Sequence, residues 1–175
     1  PYFLDTDLIL GLSGSRTVFQ FGDSTNGRFD RESVGGSVSI GRRFFDNASM
    51  NLGYQAESVE ASSLSSFIPA RFQANASGLT SLLSLTLNRD TRDNRIYANK
   101  GMFNSVKLEV SGDKLGGDND FYRITGRTQF YQPVVGKLIF KTFARLGYIA
   151  SLNNQVVPLF ERFFMGGPNS LRGYA

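Results

Sequence analysis

Lys137-Leu138-Ile139-Phe140-Lys141-Thr142-Phe143-Ala144-Arg145-Leu146-Gly147-Tyr148 alternates in polarity. In an extended chain, Leu138, Phe140, Thr142, Ala144, Leu146 and Tyr148 fall on one side. Lys137, Lys141, Arg145 and Gly147 fall on the other, with Ile139 and Phe143 as exceptions. A period of two is the mark of a β-strand with one apolar and one polar face.

The pattern recurs toward the N-terminus. Tyr122, Ile124, Gly126, Thr128 and Phe130 oppose Arg123, Thr125, Arg127 and Gln129, and Pro133 is expected to end that strand because it lacks a ladder donor. Asn104, Val106, Leu108 and Val110 oppose Ser105, Lys107, Glu109 and Ser111. Leu79, Ser81, Leu83, Leu85 and Leu87 oppose Thr80, Leu82, Ser84, Thr86 and Asn88. Met50, Leu52, Tyr54 and Ala56 oppose Asn51, Gly53, Gln55 and Glu57. A strand from about Glu32 to Arg42 sets Val34, Gly36, Val38 and Ile40 against Gly35, Ser37, Ser39 and Gly41. Leu8, Leu10 and Leu12 begin the first strand, extended by Val18, Phe19 and Phe21. The fold class is therefore all-β, an antiparallel meander of about seven strands.

The connections differ in length. Asp46-Asn47 and Pro133-Val134-Val135-Gly136 mark short turns on one side, with Asp90–Gly101 as a longer member of that set. Gly22–Gly27, Ala61–Gly78, Gly112–Asn119 and the segment from Ser151 onward are longer and lie on the other side. Short turns at one end and long loops at the other suit an outer-membrane barrel, in which apolar faces meet lipid and polar faces line the lumen. Lys107, Glu109, Arg123, Arg127, Lys137, Lys141 and Arg145 are then expected on the lumen side, because a lipid-facing Arg or Lys at the bilayer midplane costs about 2–4 kcal/mol. A soluble sandwich, with two apolar faces meeting in a dry core, is the competing architecture.

Composition removes several functions. In 175 residues there is no Cys and no His, hence no disulfide framework, no thiolate chemistry and no histidine base or zinc ligand. Both charge signs are mixed with a net charge of +4, which does not describe a nucleic-acid protein with a concentrated basic face. No uninterrupted apolar stretch is long enough for a membrane helix, and no signal peptide stands at the start; a mature or truncated chain is expected. No catalytic constellation is found. Ser170 has no base, and Asp113, Asp118 and Asp120 lack the EF-hand spacing. Gly166-Gly167 lacks the Lys and the helix of a phosphate loop, and Asp90 and Asp93 sit in a turn that gives no burial to shift them. The chain is expected to be non-enzymatic, without cofactor or metal.

Two stretches stand apart from the strand pattern. Arg162-Phe163-Phe164-Met165-Gly166-Gly167-Pro168-Asn169-Ser170-Leu171-Arg172-Gly173-Tyr174 leads two aromatics into a glycine pair and a Pro-Asn turn, then presents one guanidinium. Asp90-Thr91-Arg92-Asp93-Asn94, followed by Lys100-Gly101, is a dense charge cluster at a turn, read as a structural turn tied by Arg–Asp pairs.

Both stretches resemble the BamA family of outer-membrane barrels. Phe163, Gly166, Gly167, Ser170, Leu171, Arg172, Gly173 and Tyr174 fill the family's aromatic-x-x-Gly-Gly-x-x-Ser-[Val/Leu]-Arg-Gly-[Phe/Tyr] loop motif. Asp90, Arg92, Asp93, Asn94 and Gly101 match its Asp-[Thr/Ser]-Arg-Asp-Asn hairpin, although the usual proline is replaced near Ala98 and Asn99. The resemblance implies that residues 1–175 are a middle part of a transmembrane barrel of about sixteen strands. Residues 151–175 would begin a loop folded into the lumen, and no POTRA domain lies in this chain. It implies an outer-membrane location, most simply bacterial, and a role in folding and inserting other barrels. The implied partners are the lipid bilayer, unfolded outer-membrane protein substrates and accessory lipoproteins of an assembly complex. Arg172 would pair with acidic side chains inside the lumen. Two-partner secretion transporters share the loop motif, so export of a polypeptide through the barrel is the alternative function.

Overall fold

The computed structural model describes residues 7–21, 29–62, 77–153, 156–158 and 161–163. Seven strands form one sheet: β1 (Leu8–Phe21), β2 (Phe29–Phe45), β3 (Ala48–Ser62), β4 (Gly78–Asp90), β5 (Gly101–Ser111), β6 (Phe121–Val135) and β7 (Leu138–Ser151). Their order in the sheet is their order in the chain, and every neighbouring pair is antiparallel. A meander of this kind follows from alternating strands joined by turns that reverse the chain.

The register carries the two faces across all seven strands. Lys107 pairs with Thr125, Glu109 with Arg123 and Ser84 with Glu109, so polar positions meet polar positions. On the opposite face Leu83 meets Val110, Leu108 meets Ile124 and Gly126 meets Leu146. That apolar face is left uncovered: Leu12 is 76% exposed and Leu146 77% exposed, with Val38, Leu52, Leu87, Val106 and Phe140 exposed beside them. The Tyr122 and Tyr148 rings, 5.9 Å apart, border it at the loop end. A continuous exposed apolar face on a sheet whose other face is polar inverts a water-soluble arrangement and suits lipid.

Strands run further than the sequence pattern suggests. β2 covers Phe29–Phe45 rather than Glu32–Arg42, and β3 continues to Ser62, into what reads as the start of a loop. Pro133 does not end β6. It pairs with Ile139, and the strand continues to Val135 because the register shifts between Pro133 and Val135. A bulge is where a sheet tolerates a residue without a ladder donor. The β2–β3 hairpin has the same build, with a register shift between Arg43 and Phe45 just before the Asp46-Asn47 turn. Lys137 is corrected with Pro133: the longer β6 leaves it in the two-residue turn Gly136-Lys137, not among the polar-face strand residues.

The polar face carries a small apolar core near the loop end, made by Leu82, Phe121 and Val157 with Ile149 packed against it. Val157 and Pro158 follow β7, so the segment after Ser151 turns back onto the polar face. The β5–β6 connection, with a single 3-10 turn at Asp113–Leu115, folds back beside β4. β4 outruns β5 there, since β5 pairing begins only at Leu82. Asp118 completes the exposed ladder: its N–H donates to the Leu79 carbonyl at 2.7 Å, and its Oδ2 accepts the Leu79 N–H at 2.8 Å.

Candidate functional site: a caged turn and a charged polar face

The ten-residue turn between β4 and β5 is built on two carboxylates. Asp93 Oδ1 accepts the N–H groups of Asn94 at 2.9 Å, Asn99 at 2.9 Å and Lys100 at 3.2 Å, and Oδ2 accepts Asn99 Nδ2 at 3.3 Å. Asn94 Oδ1 takes the N–H groups of Ile96 at 2.8 Å and Tyr97 at 3.1 Å. These donors have no ladder to join, and side-chain oxygens satisfy them in place of a strand. The N–H of Asn99, helped by those of Lys100 and Asn94, holds the Asp93 carboxyl below the usual carboxylate range.

Asp90 has the other role. Its Oδ1 accepts Arg92 Nε at 2.8 Å and the Arg92 N–H at 3.2 Å, while Oδ2 accepts Arg92 Nη2 at 2.8 Å. The Asp90 carboxylate keeps Arg92 charged, raising its already high pKa, and Arg92 lies over the Phe103 ring at 5.1 Å. Gly101 closes the turn at φ +100, a backbone conformation that disfavours L side chains, and a Cβ there would collide with the Thr91 carbonyl. Asp90, Arg92, Asp93, Asn94 and Gly101 are thus brought together in one turn. Only Asp90 forms Arg–Asp pairs, with Arg92 and, at 3.6 Å, with Arg95; Asp93 is committed to N–H donors.

The charged residues of the polar face form a second group. Lys107 Nζ lies 2.6 Å from Glu109 Oε1, Arg123 Nε lies 2.6 Å from Glu109 Oε2, and Arg123 Nη1 lies 2.8 Å from Glu161 Oε2. Glu109 is 5% exposed in its side chain and Glu161 9%, so Arg123 bridges two buried carboxylates. Burial pushes the Glu161 carboxyl up, against the pull of the Arg123 charge and hydrogen bond. Arg31 and Glu57, 3.0 Å apart on β2 and β3, also act on Glu161 electrostatically. Taking charges out of water in this way is costly unless each is paired. Arg127, Lys141 and Arg145 share the face without joining this group.

Phe163 reaches the same face. A Cβ on Gly147 of β7 would stand 2.8 Å from two ring carbons of Phe163, so the ring occupies the space a side chain at 147 would need. Phe163 is thereby placed; Gly166, Gly167, Ser170, Leu171, Arg172, Gly173 and Tyr174 lie outside the described residues. Asp113, Asp118 and Asp120 do not converge on a common point. Asp120 accepts the Asp113 N–H at 3.0 Å and Asn153 Nδ2 at 3.0 Å, and Asp118 is used on β4.

Sequence reasoning missed Glu161, Arg31 and Glu57 as members of the charged group. A lone acidic residue between Leu159-Phe160 and Arg162-Phe163 is the one signal that singles out Glu161. Its partner 38 positions away has no signature in the chain.

The Omp85 superfamily domain matches residues 1–175. The outer membrane protein assembly factor BamA of Nitratidesulfovibrio vulgaris is 25% identical over 178 residues, 99% of this chain and 22% of that protein. The SAM50-like protein SPAC17C9.06 of Schizosaccharomyces pombe is 35% identical over 96 residues, covering 53% of this chain and 20% of its own length. The crystal structure of BamA from Haemophilus ducreyi lacking POTRA domains 1-3 superposes with a TM-score of 0.83 at 19% identity, over 100% of this chain and 36% of that one, and so shares the fold. The chain therefore spans about a fifth of the length of the first two relatives. Its sheet, its exposed apolar face and the match over every residue agree: this chain belongs to the Omp85 superfamily.

Proposed function

We propose that these seven strands are a wall of an outer-membrane barrel whose parent protein folds and inserts other β-barrels into that membrane. The observation that carries the reading is the exposed apolar face backed by a paired, charged inner face, in a chain that an assembly factor matches over 99% of its residues. The apolar face meets lipid. The inner face, with Glu109, Arg123 and Glu161, lines the lumen together with Lys107, Arg127, Lys141 and Arg145.

The substrates are unfolded outer-membrane proteins, and accessory lipoproteins complete the complex. A bacterial outer membrane is favoured because the bacterial relative aligns over 99% of this chain and the Schizosaccharomyces pombe relative over 53%. The role is mechanical rather than catalytic. The inner face seats the segment after β7 through Val157, Glu161 and Phe163. Arg172 then presents its guanidinium to acidic side chains of the lumen, and the Asp90–Gly101 turn keeps β4 and β5 in register at the short-turn end.

The test is reconstitution of the full-length protein in liposomes, with an unfolded barrel substrate added outside. Substrate that becomes protease-protected faster than with empty liposomes, and slower with Arg172→Ala, is the expected result. Liposomes that release a polypeptide across the membrane without inserting the barrel substrate would overturn assembly in favour of export.

A further inference from the structure

On the loop side of the polar face, each arginine described above has a carboxylate. Nearer the turns, on β6 and β7, three cations have none among the described residues. Arg127 of β6 stands directly opposite Arg145 of β7, and Lys141 stands opposite Tyr131. Like charges directly opposite destabilise a sheet. Aromatic rings hold two of the three cations: the Arg127 guanidinium lies 5.8 Å from the Phe103 centroid and 5.4 Å from that of Phe143, and Lys141 Nζ lies 5.5 Å from that of Tyr131. Rings orient a guanidinium but leave its charge in place. Glu109 and Glu161 are already engaged by Lys107 and Arg123, Glu57 by Arg31, and Asp90 at the turn end by Arg92.

The missing acceptor has one direct way in. β7 is the last strand of the sheet, and its far edge has no partner among the described residues. A strand added to that edge puts every second side chain on the polar face, at about 5 Å between Cβ atoms from its neighbour on β7. We propose that the strand of the same polypeptide that hydrogen-bonds to the open edge of β7 carries a carboxylate on the polar face, level with Arg145. Arg145 and Arg127 share that carboxylate. The inference rests on the barrel reading above, since closure requires a strand at this edge. Its occupant follows from charge complementarity: two arginines side by side fit one acidic side chain better than any neutral one.

The test uses the full-length protein in detergent and reads the temperature at which the folded barrel is lost, by heat-modifiable gel migration, at low and high salt. Arg145→Gln is expected to lower that temperature by several degrees. Salt lowers the wild-type value and narrows the gap, and Arg145→Lys recovers part of the loss. Should Arg145→Gln fail to fold, Arg127→Gln is expected to give the same loss. The double variant, where it folds, loses less than the sum of the two because one carboxylate serves both.

The opposite sign would overturn the proposal. If Arg145→Gln raises the temperature and salt stabilises the wild type, the two arginines only repel and no carboxylate from the chain lies between them. No change in either direction also sinks it. A rise with Arg145→Gln, together with stabilisation of the wild type by added polyglutamate, assigns the site to a separate acidic polypeptide and likewise overturns it. Barrel insertion is assayed separately in the same preparations. A protein that shows the expected thermal pattern but inserts no substrate fails only the functional reading.

Discussion

The β4–β5 turn and the loop-side half of the polar face are both organised by buried or engaged carboxylates, but they recruit their partners in opposite ways. Asp93 collects donors one, six and seven positions along the chain, all but one of them backbone N–H groups. Glu161 receives a guanidinium from 38 positions away, on a strand of the β6–β7 hairpin. The turn is therefore a local device whose geometry is written in consecutive residues. The Glu109–Arg123–Glu161 group is a tertiary device, and it reports whether the segment after β7 has docked.

Breaking the tertiary device should have the larger effect. Arg123→Ala leaves Glu161 and one side of Glu109 buried without a cation, and removal of one partner from a buried pair costs about 3–5 kcal/mol. The loss is expected toward the lower end, because Lys107 still reaches Glu109. Limited proteolysis in detergent checks it: cleavage in the segment after Ser151 should quicken while the strands stay protected. Arg123→Met combined with Glu161→Gln should recover part of the loss, since no charge is then stranded on that side. Equal protection of wild type and Arg123→Ala would mean that the segment is held by Val157 and Phe163 alone.

The local device gives way at Gly101. Gly101→Ala forces a side chain into φ +100 and against the Thr91 carbonyl, and strain of this kind costs about 1–3 kcal/mol. The damage should stay at the turn: amides of Asn99 and Lys100 exchange faster, and those of β6 and β7 do not change. Spread of the effect to Arg123 or Glu161 would show that the two devices are coupled, contrary to the comparison.

That difference explains what the sequence made readable. The period-two pattern of Leu138–Tyr148 and its neighbours carried all seven strands and both faces, because side-chain direction in a strand depends only on local geometry. The Asp90–Gly101 turn was visible for the same reason. Pro133 misled, since a bulge one residue on lets the ladder pass it, and a bulge leaves no mark on hydrophobic periodicity. Lys137 was displaced with it. Glu161 could not be paired with Arg123 by inspection, because their meeting depends on a segment without periodicity folding back onto the sheet. Glu57 stands on the polar face of its expected strand, but Arg31 falls outside the strand expected from Glu32, and only the longer β2 brings the pair into the field of Glu161.

The smallest expected effect is also the sharpest test of locality. Asp93 is held below the usual carboxylate range by N–H donors that only the folded turn provides, that of Asn99 foremost. A carboxyl with a depressed folded pKa contributes stability that is fully present above its unfolded value, about 4. That contribution is lost as pH falls through the lower folded value. Amide exchange at Asn99 and Lys100 should thus gain protection loss in acid beyond that of neighbouring strand amides. Asp93→Asn should abolish this acid dependence while keeping part of the cage, because an amide oxygen still accepts but never carries the charge. The Glu161 side of the molecule should not follow the same curve, since burial moves its carboxyl in the opposite direction. If protection at Asn99 and at the segment after β7 fell together over one acid transition, the turn would not be an independent unit, and the acid step would belong to the whole barrel.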